Sequence, residues 1–201
     1  MDAKRVADNL GIRFSEEGIE ELSQTAVASV DNLTPDSGTR GVTRENAQAR
    51  MRGLLLMGIA NEIDALVLTP DNKSEAAVGY CTLYGDAVGA IAPLGDCTKR
   101  RVYGLAEAFN ADPPAWVDTP PIPSAVIDKA PTAELAEGQT DQDDIPPYKI
   151  IDAVVKRYVG DKQAVTQIVS ETDASKKQVE TVVGRLTRSE FKRRQTPPAL
   201  R

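Results

Sequence analysis

The chain has 201 residues, 41% of them apolar and 27% charged, the balance of a soluble globular protein with one core. Its net charge of -6 excludes a general nucleic-acid binder. No run approaches the ~20 apolar residues that span a bilayer, since Leu54 to Ala60 stops at Asn61. There is no histidine. That removes Ser-His-Asp and Cys-His nucleophiles, imidazole zinc ligands and histidine acid–base work. Chemistry must then rest on carboxylates, lysines, arginines, hydroxyls, backbone groups or a bound cofactor. Cys81 and Cys97 lack CxxC spacing, and the polar, amphipathic start MDAKRVADNLGI is no secretory leader. The expected setting is the cytoplasm, with no membrane partner.

The first predicted helix covers Asp2 to Leu10, closed by Gly11, and Ile12 to Phe14 reads as a strand. A second helix is expected over Ile19 to Val30, then a loop from Asn32 to Gly41. Thr43 is expected to cap a long, mostly buried helix ending near Ile63. On it Asn46, Arg50 and Gly53 share one face, which is either a nucleotide platform or solvated surface.

Ala65 to Thr69 is a short apolar run stopped by Pro70, the pattern of a buried parallel strand. Ligands of parallel sheets bind beyond the carboxyl ends of strands, which is where Asn72 to Glu75 falls. Glu75 reads as a Mg²⁺ carboxylate or as the N3 position of a capping box started by Asp71 or Asn72, and both readings hold at once. Asp86, in the loop YGDAVGAIAPLGD, is either a group that fixes a ligand amide or amine or an ordinary turn aspartate.

Thr98 caps a helix to Asn110 whose apolar positions are Val102, Leu105, Ala106 and Phe109. Lys99, Arg100 and Arg101 in its first turn oppose the helix dipole, a conflict that a bound phosphate removes and that screening also lessens. Asp112 to Pro123 is a proline-rich loop. Glu134, Glu137, Asp141, Asp143 and Asp144 put five acids in eleven residues. That stretch is a solvated loop or a lid carrying the Thr132 hydroxyl onto a phosphate. Amphipathic helices are predicted over Pro147 to Val159 and over Ala174 to Ser189. Lys192, Arg193 and Arg194 form a basic tail that serves as a nucleic-acid arm or folds back on phosphates.

Helices alternating with short apolar runs predict an α/β fold with a parallel sheet. Two or three strands are few for such a sheet, and the abrupt start on a helix predicts that an earlier strand is missing.

TRENAQARMRG, LVLTPDNKSEAAVGYCTLYGD, PTAEL with QTDQDDIPPYKIID, and EFKRRQTPP occur in that order. Together they resemble the synthetase domain of NAD synthetases, closest to the glutamine-dependent branch, from about Asp2 to Pro198. The resemblance implies a three-layer Rossmann-like fold of the adenine nucleotide alpha hydrolase type, without its first central strand. It implies a partial synthetase domain over residues 1–201, with residues 185–201 a tail returning to the site. It implies a carbon–nitrogen ligase: the carboxylate of deamido-NAD attacks ATP to give an adenylate, and ammonia displaces AMP. Asp86 and Lys99 would be catalytic. Deamido-NAD would meet Asn46, Arg50, Asp86 and Asp144, partly across a homodimer interface. ATP would meet Lys99, Thr132 and Lys192, and Glu75 would hold Mg²⁺. Two departures stand out. The family's Ser-Gly-Gly-x-Asp-Ser loop does not occur in these residues, and Pro70 stands where the family has a threonine that contacts ATP. The chain is therefore expected to be inactive alone and to take ammonia from another domain or chain. The alternatives are a non-catalytic dinucleotide-binding module and a dimer partner of a longer subunit.

Overall fold

Four helices hold the core, a short one from the first half of the chain and three from its last third. A computed structural model describes residues 2–117, 120–133, 135 and 138–200. Helix α4 (Lys73–Val78), α7 (Tyr148–Val155), α8 (Val165–Glu171) and α9 (Lys176–Arg188) contribute its main members. Ile151, Val154, Ile168, Val179 and Val182 are fully buried in it. Ser175 starts α9 with a capping box closed by Gln178, which satisfies two N–H groups that the helix itself leaves free. Helix α7 follows Pro146 and Pro147, whose extended backbone suits a helix start. Its expected continuation to Val159 instead widens into a π-helical turn at Lys156–Gly160. Helix α8 has no counterpart in the sequence reading.

The first half is looser. Helices α1 (Asp2–Leu10), α2 (Glu20–Leu33) and α3 (Gly41–Glu62) precede the site, with α2 packed on α3. Two expectations fail here. Residues 12–14 are irregular rather than strand, with Ile12 exposed. Helix α3 begins at Gly41, so Thr43 lies inside it, and only Ala49, Gly53 and Ala60 of α3 are buried. Leu56, Ile59 and Ile63 on one side of the helix, and Leu54 and Met57 on the other, face solvent in this chain, so the apolar content marks uncovered surface.

Among the described residues the sheet is reduced to two parallel bridges, Leu68 to Ile91 and Ala92 to Ala199. Thr69 N–H donates to the Ile91 carbonyl at 3.0 Å, Ala90 N–H to Val67 at 2.8 Å, and Ala92 N–H to Pro198 at 2.9 Å. Three segments thus run side by side, with residues 89–92 in the middle. Leu66 and Leu68 on the outer segment are 71% and 60% exposed, so the expected buried strand is an edge here. Helix α5 (Lys99–Ala111), capped by Thr98 as expected, follows this ladder, and α6 (Ser124–Asp128) breaks the proline-rich loop. No residue of α5 is fully buried. Helix α10 (Glu190–Arg193) carries the basic tail. No described helix is long and apolar enough to cross a membrane.

Burial decides what substitutions cost. Ile151→Ala should remove ~2–5 kcal/mol of stability in urea unfolding. Ile12→Ala in the exposed stretch after α1 should change it by less than about 0.5 kcal/mol.

Candidate active site

The site grows from the turn between the outer and middle segments. Asn72 accepts from the N–H groups of Ser74 and Glu75 at 3.0 and 3.1 Å, and Glu75 Oε2 accepts the Asn72 N–H at 3.3 Å. The capping box expected from the sequence is therefore formed, with Asn72 as the cap. Its other oxygen, Glu75 Oε1, accepts from Lys99 Nζ at 2.8 Å, and both side chains are less than one-fifth exposed. Of the three cations that oppose the α5 dipole, Lys99 finds a carboxylate, while Arg100 and Arg101 are exposed surface charges.

Tyr148, at the start of α7, donates to Asp141 Oδ2 at 2.6 Å and lies 3.5 Å from Glu75 Oε1. Lys99 Nζ sits 5.1 Å from the Tyr148 ring centroid, within cation–π range. Asp141 was expected in a solvated acidic loop but is only 3% exposed. Burial and the Asp141 hydrogen bond hold the Tyr148 phenol far above its ordinary value, so it stays a donor. Asp143 caps Thr140 from solvent, and that contact pulls its carboxyl below the usual range. Glu134 and Glu137 of the acidic run lie outside the described residues.

The YGD turn lies directly on α3. Thr82 Oγ1 donates to Asn46 Oδ1 at 2.8 Å, and Arg50 Nε donates to the Leu83 carbonyl at 3.3 Å. A Cβ at Gly53 would stand 2.7 Å from the Tyr84 carbonyl, so only glycine admits the turn there. Tyr84 adopts a left-handed φ of 63°, uncommon for a non-glycine residue. Of the Asn46–Arg50–Gly53 face the turn buries Gly53 and covers Asn46 in part, while Arg50 stays exposed. Asn46 still opens onto a cavity of about 440 Å³, together with Arg52, Asp86, Asp144, Arg185 and Lys192. Arg50 does not line it.

Asp86 Oδ1 accepts the Thr82 N–H at 2.7 Å, and its backbone carbonyl accepts Thr69 Oγ1 at 2.8 Å. Burial raises its carboxyl pKa against these hydrogen bonds. A second cavity of about 360 Å³ is lined by Glu75, Lys99, Thr132 and Asp141. Pro70, Tyr80, Asp86 and Ala133 line both cavities, so the two meet at Asp86. Lys192 belongs to the larger cavity, apart from Lys99 and Thr132. Its Nζ donates to the Gly79 and Cys81 carbonyls at 2.8 and 2.6 Å.

Glu75 presents one carboxylate oxygen that already takes a cation, the Lys99 ammonium. The described residues contain no cluster of three or more metal-ligating side chains. That donor set fits Mg²⁺, which uses one or two protein carboxylates and draws its other oxygens from phosphates and water. Sequence reasoning missed Tyr80, Arg185 and Tyr148. The signal for Tyr148 was a tyrosine straight after Pro146 and Pro147, where a first-turn side chain is held close to the preceding loop.

Among known proteins, the family model described as NAD synthase matches residues 1–196. The glutamine-dependent NAD(+) synthetase of Rhodobacter capsulatus is 44% identical over 209 residues, covering 100% of this chain and 36% of the relative. The NMN synthetase of Francisella tularensis gives a TM-score of 0.74 at 29% identity, covering 96% of this chain and 68% of that one. The glutamine-dependent NAD+ synthetase of Acinetobacter baumannii, solved with adenosine diphosphate, gives 0.59 at 34% identity, covering 100% of this chain and 34% of that one. The chain spans about a third of the length of the curated relatives it matches.

Asp71 gives this site a pH dependence. It is 8% exposed, its Oδ2 has no hydrogen-bond partner, and burial with Asp86 and Glu75 nearby raises its carboxyl from 3.8 to about 7. The folded state therefore holds this proton more tightly than the unfolded chain. Stability from that difference is complete below the ordinary carboxylate range and is lost as pH rises through about 7. Asp71→Asn should gain ~1–4 kcal/mol in melts near pH 8 and little near pH 4, flattening the profile between them.

Proposed function

The chain belongs to the NAD synthase family, and on that premise we propose that it supplies part of the site for ATP-dependent amidation of deamido-NAD to NAD. Its fold is that of the solved synthetases. The observation that carries the reading is the junction at Asp86, where a cavity with Asn46 and Asp144 meets one with Glu75, Lys99 and Thr132. A dinucleotide fits the first and a nucleoside triphosphate the second, which brings the nicotinate carboxylate and the α-phosphate together beside Asp86.

In this reading Glu75 holds Mg²⁺, which when bound neutralises phosphate charge. Lys99 leaves Oε1 of Glu75 to meet the phosphates and stabilises the charge that develops as pyrophosphate departs. Thr132 donates its hydroxyl to a phosphate oxygen. Asp86, made more basic by burial, orients the incoming ammonia and accepts its proton as AMP is displaced. Asn46 and Asp144 hold the dinucleotide, and Arg50 joins them across a homodimer interface. Lys192 contributes through the carbonyls that it fixes rather than on the phosphates of ATP.

The finer architecture is part of the same proposal. The three parallel segments at residues 67–69, 90–92 and 198–199 are read as one side of a three-layer Rossmann-like sheet whose first central strand is not among these residues. Residues 185–201 are its returning tail. One side of α3 is read as the homodimer contact, since Leu56, Ile59 and Ile63 stand exposed along it. Ammonia comes from glutamine hydrolysed by another domain or chain, in the cytoplasm.

Calorimetry with ATP, Mg²⁺ and deamido-NAD tests the reading. Binding of both nucleotides is the expected result, Glu75→Gln should abolish the Mg²⁺ dependence, and a folded sample that binds neither would sink it. The 201 residues contain no Ser-Gly-Gly-x-Asp-Ser run to grip pyrophosphate. The chain alone, given ATP, Mg²⁺, deamido-NAD and ammonium, should make no NAD above background, and measurable turnover would refute that. In size-exclusion chromatography a dimer is expected, and Leu56→Glu with Ile59→Glu should convert it to a monomer.

A further inference from the structure

Lysine 99 is held at both ends by one turn of helix α7. Tyr148 and Asp152 stand four residues apart on α7, which packs against both α4 and α5. Asp152 Oδ1 accepts a short hydrogen bond from the Ser74 hydroxyl. That hydroxyl in turn accepts the backbone N–H of Lys99 at 2.8 Å. Lys99 is the first residue of α5, so this N–H has no partner within its own helix. At the other end of the side chain, the ammonium lies 5.1 Å from the Tyr148 ring and 2.8 Å from Glu75, whose same oxygen is 3.5 Å from the Tyr148 hydroxyl.

Ser74 is 2% exposed, so its hydroxyl cannot turn to water for a partner and must serve both Asp152 and Lys99. The carboxylates of Glu75 and Asp152 also bring negative charge to the N-terminus of α5. They offset the three cations in its first turn without a bound anion. A lysine side chain carries ~2 kcal/mol of rotamer entropy when free, which makes its orientation worth fixing in advance.

We propose that Tyr148 and Asp152 are positioning residues for Lys99, Asp152 acting through Ser74 on its backbone and Tyr148 on its ammonium. The consequence for catalysis rests on the ATP-side role of Lys99 given above, whereas the positioning itself does not.

The test is trace acetylation of the whole 201-residue chain, with the rate at Lys99 read by peptide mass spectrometry against exposed Lys177. In the unaltered chain Lys99 should react more slowly than Lys177. Asp152→Ala and Tyr148→Leu should each speed Lys99 roughly fivefold, a change of the size expected for a lost hydrogen-bond or cation–π restraint. Asp152→Asn keeps an oxygen acceptor for Ser74 and should leave Lys99 within about twofold, which a merely structural aspartate would not predict. Ser74→Ala gives a second route to the same release if Asp152→Ala does not fold. Unchanged Lys99 rates in Tyr148→Leu and Ser74→Ala, even with a lowered melting temperature, would overturn the proposal. So would Asn and Ala at position 152 behaving alike. ATP titration of the same samples separates the two readings: a protected Lys99 in a chain that binds no ATP removes the proposed function and leaves the positioning.

Discussion

A helix of six residues has almost no interior, and α4 is such a helix. Nearly every backbone group it owns lies within four residues of an end, so its hydrogen bonds must be closed by other parts of the chain. At its start, the Asn72 and Glu75 side chains supply the capping box, and Lys73 N–H donates to the Cys97 carbonyl at 2.9 Å. At its end, Ser189 and Arg193 donate to the Ala77 carbonyl and Lys192 donates to Gly79. Gly79 itself has a left-handed φ of 64°, and a Cβ there would meet Ser189 at 2.3 Å. The basic tail thus has a backbone role: its cations sit where the carbonyl dipoles of α4 point.

Two consequences follow for the site. Glu75 is part of the cap and part of the ion pair with Lys99, so the same carboxylate anchors a helix and faces a cavity. The negative groups around it are graded by burial. Asp71 and Asp86 are pushed toward the neutral form by desolvation, while exposed Asp143 is drawn the other way by Thr140. Near neutral pH Asp71, raised to about 7, is partly neutral, so the ground behind Glu75 is less negative than its count of carboxylates suggests.

What could be read from the sequence was local. Caps at Asn72 and Thr98 follow from side chains that bond groups two or three residues away, and the core face of α9 follows from a 3.6-residue period. Asn46, Glu75, Asp86, Thr132 and Lys192 of the ordered motifs, with Lys99 between them, line two adjoining cavities. The failures concern partners distant in sequence. The apolar content of α3 reads as a mostly buried helix because composition cannot say whether anything covers it. Asp141 was taken with its exposed neighbours because its burial depends on Tyr148. Lys192 was assigned to phosphate because the free carbonyls of Gly79 and Cys81 are invisible until the chain folds. Arg50 shares a helix face with Asn46 by spacing, yet it stands exposed outside the cavity, bonded to the Leu83 carbonyl.

The same tail contacts fix an order of events. Lys192 closes on Gly79 across 113 positions, and Ala92 is bridged to Ala199 across a similar span. Contacts of such sequence separation carry the largest loop-closure cost and govern how slowly a chain finds its native state. On a ribosome, α4 would emerge with its last carbonyls still bare and wait for residues 189–193 before it could hold its shape. The helix that carries Glu75 is therefore one of the earlier parts of the site to be made and one of the last to set.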